Sequence, residues 1–306
     1  MFTTYAGEIF SLLSAMFWGL AVVFFKQIGD RVSPIVLNPF KNGLGVILIS
    51  ATLLVTGNSL LPEGAFEFTS WDYAILIISG MVGLGIADVI FLHSLNMIGA
   101  GISALVDTLY SPFVILFAFL LLGETLNFYQ IIGGLLIIGS IVFASARLQQ
   151  IPVERGKLIY GMLLQALALA LMAFGIVLVK PILNKVSDDV SMQLWVAGMR
   201  MIPGTLVPLM LVMYNIRKKE MFAFTKDKTV WKPLITGSVL ATYLGISFWI
   251  IGMAQTQTSI AAILNQTATI FILIFARLIL KEPLTKRRFI AVGIALSGVM
   301  IILLNQ

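Results

Sequence analysis

The sequence predicts an all-α integral membrane protein of ten transmembrane helices, arranged as two inverted five-helix repeats. Three observations predict it. Of the 306 residues, 59% are hydrophobic and 11% charged, with a mean hydropathy of +1.02, whereas soluble chains carry about 25% charge. Apolar runs of about 20 residues, the length that crosses the hydrocarbon core, recur along the whole chain. One stretch also occurs twice: YSPFVILFAFLLLGETL at 110–126 and ATIFILIFARLILKEPL at 268–284. Glu124 falls on Glu282 at a shift of 158 residues, and the same shift sets Asp107 on Asn265 and Thr108 on Gln266.

The first span, 5–26, closes on WGLAVVFFK, and the sixth, 158–180, closes on the matching MAFGIVLVK. The second and seventh, 33–56 and 190–214, set Lys41 against Arg200 within apolar sequence. The third and eighth are 72–95 and 233–254. Ser79, Gly80, Gly83 and Gly85 in the third are small residues that let helix backbones approach closely in lipid. Gly83-Leu84-Gly85 is not read as a dinucleotide motif, because no strand precedes it. Residues 233–276 hold no charge and are too many for one crossing, so Gln255–Ser259 is read as a turn and Asn96–Gly101 as its counterpart. The fourth and ninth spans, 100–122 and 258–280, carry the doubled stretch. The fifth and tenth, 128–146 and 287–304, are glycine-bearing. Residues 1–146 then form the first repeat, 147–157 a cytoplasmic linker and 158–306 the second repeat. Five spans per repeat invert one against the other, which places a substrate site near the midplane between them.

The composition excludes several classes. Without Cys there is no disulfide and no thiolate metal site, and no cofactor is expected. No phosphate-binding loop occurs, and the longest stretch outside the spans, about 215–232, is too short for a nucleotide-binding domain. A single His and no H-E-x-x-H argue against an intramembrane enzyme. The first seven residues carry no Lys or Arg and no cleavage site closes the first run, so no cleaved targeting peptide is expected. The net charge of +6 is read as basic loops on one face of a plasma membrane, not as nucleic-acid binding. The expected partners are the lipid bilayer and a small-molecule substrate. Monomer and homodimer both remain open.

Trp18-Gly19 and the passage SPFVILFAFLLLGETLNFYQIIGGLLIIG (111–139), set in two five-span halves, resemble the EamA family of the drug/metabolite transporter superfamily. In the second copy Ile270 stands in place of the Pro, and Lys281 in place of the Gly before Glu282. The resemblance implies a ten-helix, inverted-repeat transporter of small organic solutes, often an exporter of amino acids or other metabolites.

Ionisable groups inside a span are costly and tend to face a cavity or a partner. Asp107 lies with Ser103, Tyr110 and Ser111 on one helical face, at spacings of three and four. The counterpart strip is Thr258, Ala262, Asn265 and Thr269, with Gln266 beside it. The two strips are read as walls of one cavity. Lys41 and Arg200 can hold a substrate carboxylate or neutralise Asp107. Asp88 and His93, about 140° apart on their helix, are candidates with Asp107 for exchanging a proton. Trp18, Tyr110, Tyr243 and Trp249 are candidate aromatic walls, and Gln165 a polar one. The plainer alternatives are structural ion pairs, snorkelling stems and ring packing. Glu124 and Glu282 are expected to hold helix ends through a local hydrogen bond or the next helix. The expected function is secondary transport by alternating access, with Asp107 and Lys41 or Arg200 holding the two ends of an amino acid. The alternative is proton-coupled export of lipophilic cations through Asp107 or Asp88.

Orientation follows from charge. With both termini extracytoplasmic, fifteen of the twenty Lys and Arg residues fall in cytoplasmic loops, including Lys226 and Lys228. A Cys introduced at Lys226 should therefore resist an impermeant thiol reagent in intact cells. Ready labelling there would reverse the orientation.

Overall fold

The structure, a computed structural model, describes residues 6–60, 68–123, 127–145, 154–214, 221–256, 258–282 and 285–304. Glu124, Gln257, Pro283 and much of the two basic loops, at 146–153 and 215–220, lie outside the described residues. The described residues are overwhelmingly helical and contain no strand. In chain order the helices are α1 (Ala6–Ile28), α2 (Pro34–Val55), α3 (Ser70–Ile98), α4 (Ala100–Asp107), α5 (Tyr110–Leu122), α6 (Phe128–Ser145), α7 (Arg155–Lys185), α8 (Val190–Tyr214), α9 (Lys228–Gln255), α10 (Thr258–Asn265), α11 (Ala268–Leu280) and α12 (Lys286–Leu304). Among the described residues, seven segments are long and apolar enough to cross a membrane: α1, α2, α3, α4 with α5, α7, α8 and α9. α11 is a shorter apolar helix.

Local chemistry sets the helix ends. α2 opens with Pro34 in its first turn, where a missing N–H costs nothing. α3 opens with a capping box in which Asp72 N–H donates to Thr69 Oγ1 at 3.2 Å and Thr69 N–H donates to Asp72 Oδ2 at 2.8 Å. Lys185, at the end of α7, donates to the same Asp72 at 2.9 Å. Asp227 caps α9; the Thr229 hydroxyl and N–H, with Arg31, hold its carboxyl below the usual carboxylate range. Gly99, with φ +78°, joins α3 to α4 in a backbone conformation that favours glycine. Lys26 donates to the Asn96 carbonyl at 2.8 Å and Lys180 to the Met253 carbonyl at 2.6 Å, so each repeat's first helix caps the end of its third span.

The two stretches that carry the doubled sequence are interrupted, α4 being broken from α5 and α10 from α11. α4 stops at Asp107 and α10 at Asn265, the two residues that the 158-residue shift superimposes. Thr108 Oγ1 donates to the Leu105 carbonyl at 2.7 Å and Thr267 Oγ1 to the Leu264 carbonyl at 2.6 Å, diverting acceptors from the helix ladder. Pro112 adds to the first break, since a helix running through it would lose the bond to residue 108. Two further irregularities repeat. A π-helical turn occupies Gly80–Ile86 within α3 and another occupies Val239–Gly245 within α9. The first leaves the Leu84 and Gly85 carbonyls to Asn38 Nδ2, at 2.9 Å each.

The packing is reciprocal. α1 packs on α9 and α11, α7 on α3 and α5, α2 on α8, and α6 on α12. α8 crosses α3 so closely at Gly80 that a side chain there would fall on the Arg200 carbonyl oxygen. Glu282 reaches across to the other repeat: its carboxylate accepts from the N–H groups of Ala100 and Gly101 at 3.1 and 2.9 Å. That is the start of α4, rather than the local hydrogen bond or the next helix expected from the sequence.

Candidate functional site

Between these helices lies a cavity of about 110 Å³, walled by α1, α2, α3, α4, α5, α7, α8, α9 and α10. Two basic and two acidic side chains face it: Lys41 and Arg200, Asp88 and Asp107. Lys41 and Asp88, 1% and 3% exposed, pair at 2.6 Å. Lys41 also donates to Asn42 Oδ1 at 2.9 Å, while Asn42 Nδ2 donates to the Leu84 and Gly204 carbonyls at 3.0 and 3.2 Å. This ion pair is therefore tied into the π turn of α3 and the neighbouring α8.

Among the described residues, Arg200 is held by one edge. Its Nε donates to Ser79 Oγ at 2.8 Å, and Ser79 Oγ donates to the Gly175 carbonyl at 2.7 Å. Among the described residues no carboxylate pairs with its guanidinium; Asp88 lies within its field but is bound to Lys41. Asp107, 8% exposed, likewise has no basic partner among the described residues. The Tyr110 hydroxyl lies in the fields of both Arg200 and Asp107, and its ring stands 6.1 Å from that of Trp249. Asn265 also faces the cavity, and its buried Oδ1 has no hydrogen-bond partner among the described residues. Leu169, Met172, Ile176 and Ile246 supply apolar wall. Among the described residues, the cavity thus offers one cation and one anion, each without a charged partner, on an apolar lining.

The model of the EamA-like transporter family matches residues 5–146 and matches again over 159–304. The chain belongs to that family. This EamA-like protein is 21% identical over 291 residues to an uncharacterized transporter of Archaeoglobus fulgidus, across 95% of this chain and 96% of the relative. It is 34% identical over 82 residues to an uncharacterized transporter from the sor 3' region of Acidianus ambivalens, across 27% of this chain and 32% of that one. A solved crystal structure superposes with a TM-score of 0.70 at 15% identity, over 97% of this chain and 96% of the other, which shows a shared fold.

Of the candidates drawn from the sequence, the EamA-like fold gathers Trp18, Lys41, Asp88, Asp107, Tyr110, Arg200, Trp249 and Asn265 around one cavity. Others lie elsewhere. Gln165 joins helices: its Nε2 donates to the Ser103 carbonyl at 2.8 Å and its Oε1 accepts from Ser94 at 3.3 Å. Ser103 is fully buried on α4, outside the cavity lining. Tyr243 shares a hydrogen bond with Thr52 of α2 at 2.7 Å. Gln266 is buried at the α10–α11 break. His93 is exposed on the outer face of α3, away from the cavity. Met172 and Ile246 were missed, although the repeat marks both: Met172 is the counterpart of Trp18, and Ile246 that of Asp88.

The buried pair gives a direct test of this arrangement. Lys41→Met strands the Asp88 carboxylate and should cost about 3–5 kcal/mol of stability. Lys41→Met with Asp88→Leu removes both charges and should recover most of that loss. Thermal melts of the purified variants check this, and a single variant as stable as the double would contradict it.

Proposed function

We propose that this protein is a secondary transporter that exports small zwitterionic metabolites by alternating access, with L-α-amino acids bearing small apolar side chains as the substrate class. The observation that carries the reading is that Arg200 and Asp107, which have no charged partner among the described residues, face one apolar cavity. A charge held within the bilayer without a partner costs about 2.5–3.5 kcal/mol on insertion scales. A bound zwitterion offsets both costs at once. Its carboxylate meets the free N–H groups of Arg200, whose planar fork suits two oxygens. Its ammonium meets Asp107, with Asn265 Oδ1 as a further acceptor. Its side chain lies against Met172, Ile176 and Leu169.

The same reading gives the chain ten crossings in two inverted repeats, 1–146 and 158–306, joined by a cytoplasmic linker at 147–157, with both termini outside the plasma membrane. The twin family match, the reciprocal packing and the paired helix breaks support it. Broken helices at a midplane site are a recurrent device of transporters, because the interrupted backbone lines a cavity and not lipid. Alternating access then rocks one set of helices against the other around the bound solute.

A second reading, proton-coupled export of lipophilic cations, draws on Asp107 and the Trp18, Tyr110 and Trp249 rings that face the cavity. It leaves Arg200 unmatched, so the zwitterion is preferred.

Asp107→Asn keeps the size of the side chain and removes its charge. In proteoliposomes it should cut transport of L-alanine, L-valine and L-leucine at least tenfold. No base is paired with Asp107 among the described residues, so its melting temperature should stay close to that of the wild type. Undiminished transport by a well-folded Asp107→Asn protein would remove the charge from the mechanism.

A further inference from the structure

The glycines in the π turn of α3 meet their neighbours differently. A methyl group added at Gly80 would fall on the Arg200 carbonyl oxygen, and one at Gly85 would press on Val207 Cβ at 3.3 Å. The close crossing of α8 accounts for both. A methyl at Gly83 would meet only ordinary contacts: Gly175 Cα at 3.7 Å, Arg200 Nη2 at 3.9 Å and the Leu171 carbonyl oxygen at 3.9 Å. The backbone at Gly83 is helical. Glycine inside a helix costs about 1 kcal/mol relative to alanine, and neither crowding nor backbone conformation demands it here. At the 158-residue shift its counterpart is Ala241, which lines the same cavity and carries the methyl that Gly83 lacks.

We propose that Gly83 determines specificity by keeping the approach to Arg200 Nη2 open for a substrate carboxylate. This rests on the zwitterion reading given above. Ser79 occupies Nε, so a carboxylate must come to the Nη edge. A charge-assisted hydrogen bond sets the oxygen about 2.8 Å from Nη2, and the same oxygen needs about 3.3 Å from any carbon. A methyl 3.9 Å from Nη2 therefore closes every approach within about 55° of its own direction, given those two distances. A ligand without a carboxylate needs no such approach. Gly83 thus selects for a carboxylate at this corner of the site, and a side chain there selects against it.

The test is Gly83→Ala in the full-length protein, with binding of L-valine and of isobutylamine, its decarboxylated counterpart, measured by calorimetry or ligand-induced thermal shift. The variant should melt at or slightly above the wild-type temperature. Its preference for L-valine over isobutylamine should fall at least tenfold. An unchanged preference in a folded variant would overturn the proposal. A melting temperature well below wild type would also overturn it, by making Gly83 a packing residue. Absence of any preference for L-valine in the wild-type protein would instead overturn the zwitterion reading, and this proposal with it.

Discussion

Lys41 and Asp88 meet at 2.6 Å with both side chains buried, and the character of the cavity follows from that pairing. Two cations and two carboxylates line the space. Once Lys41 and Asp88 are joined, Arg200 and Asp107 have no partner left among the described residues. The pair is held in register by Asn38 and Asn42, which bond carbonyls that the π turn of α3 leaves free. An irregular turn, two amides and one ion pair thus form a single polar unit in an apolar setting. Removing one member leaves the others unsatisfied, which is costly where water is scarce.

The repeat explains why the residual charges differ in kind. Both halves keep a base at the equivalent place in their second span, Lys41 and Arg200. Only the first half keeps carboxylates, since Ile246 stands opposite Asp88 and Asn265 opposite Asp107. Two copies of the first half would carry two identical ion pairs and two free carboxylates, with no free cation. Divergence at two positions turns that arrangement into a site with distinct ends. The scaffold has diverged far less, for the helix breaks, the π turns and the lysine caps recur in both halves.

Much of this was legible in the sequence, and the part that was not has a physical cause. Apolar run length gave the seven segments that are long and apolar enough to cross among the ten spans expected, because hydrocarbon thickness imposes it directly. The doubled Glu124 and Glu282 stretch led to the family. The same shift brought out Asp107 with Asn265, and the match of the second and seventh spans brought out Lys41 with Arg200; all four face the cavity. Sequence spacing left open which base takes which acid, because that depends on how α2, α3 and α8 cross. It did not show the break after Asp107, since Thr108 and Thr267 act through local bonds that leave no period. Polarity alone also drew in Gln165, Tyr243 and His93. A polar side chain can satisfy itself against another helix as readily as it can line a cavity, and in a transmembrane bundle only the fold decides between them.

The central claim is that Arg200 receives a carboxylate and Asp107 an ammonium from one bound molecule. A cycle that removes each partner from both sides tests it most directly. Dissociation constants would be measured for L-valine and isobutylamine with wild type and Arg200→Gln, and for L-valine and isovalerate with wild type and Asp107→Asn. In each cycle, losing the protein group and losing its ligand group should be strongly non-additive, with a coupling of at least tenfold. Additive losses in both cycles would show that these side chains do not meet those ends of the ligand, and would contradict the account.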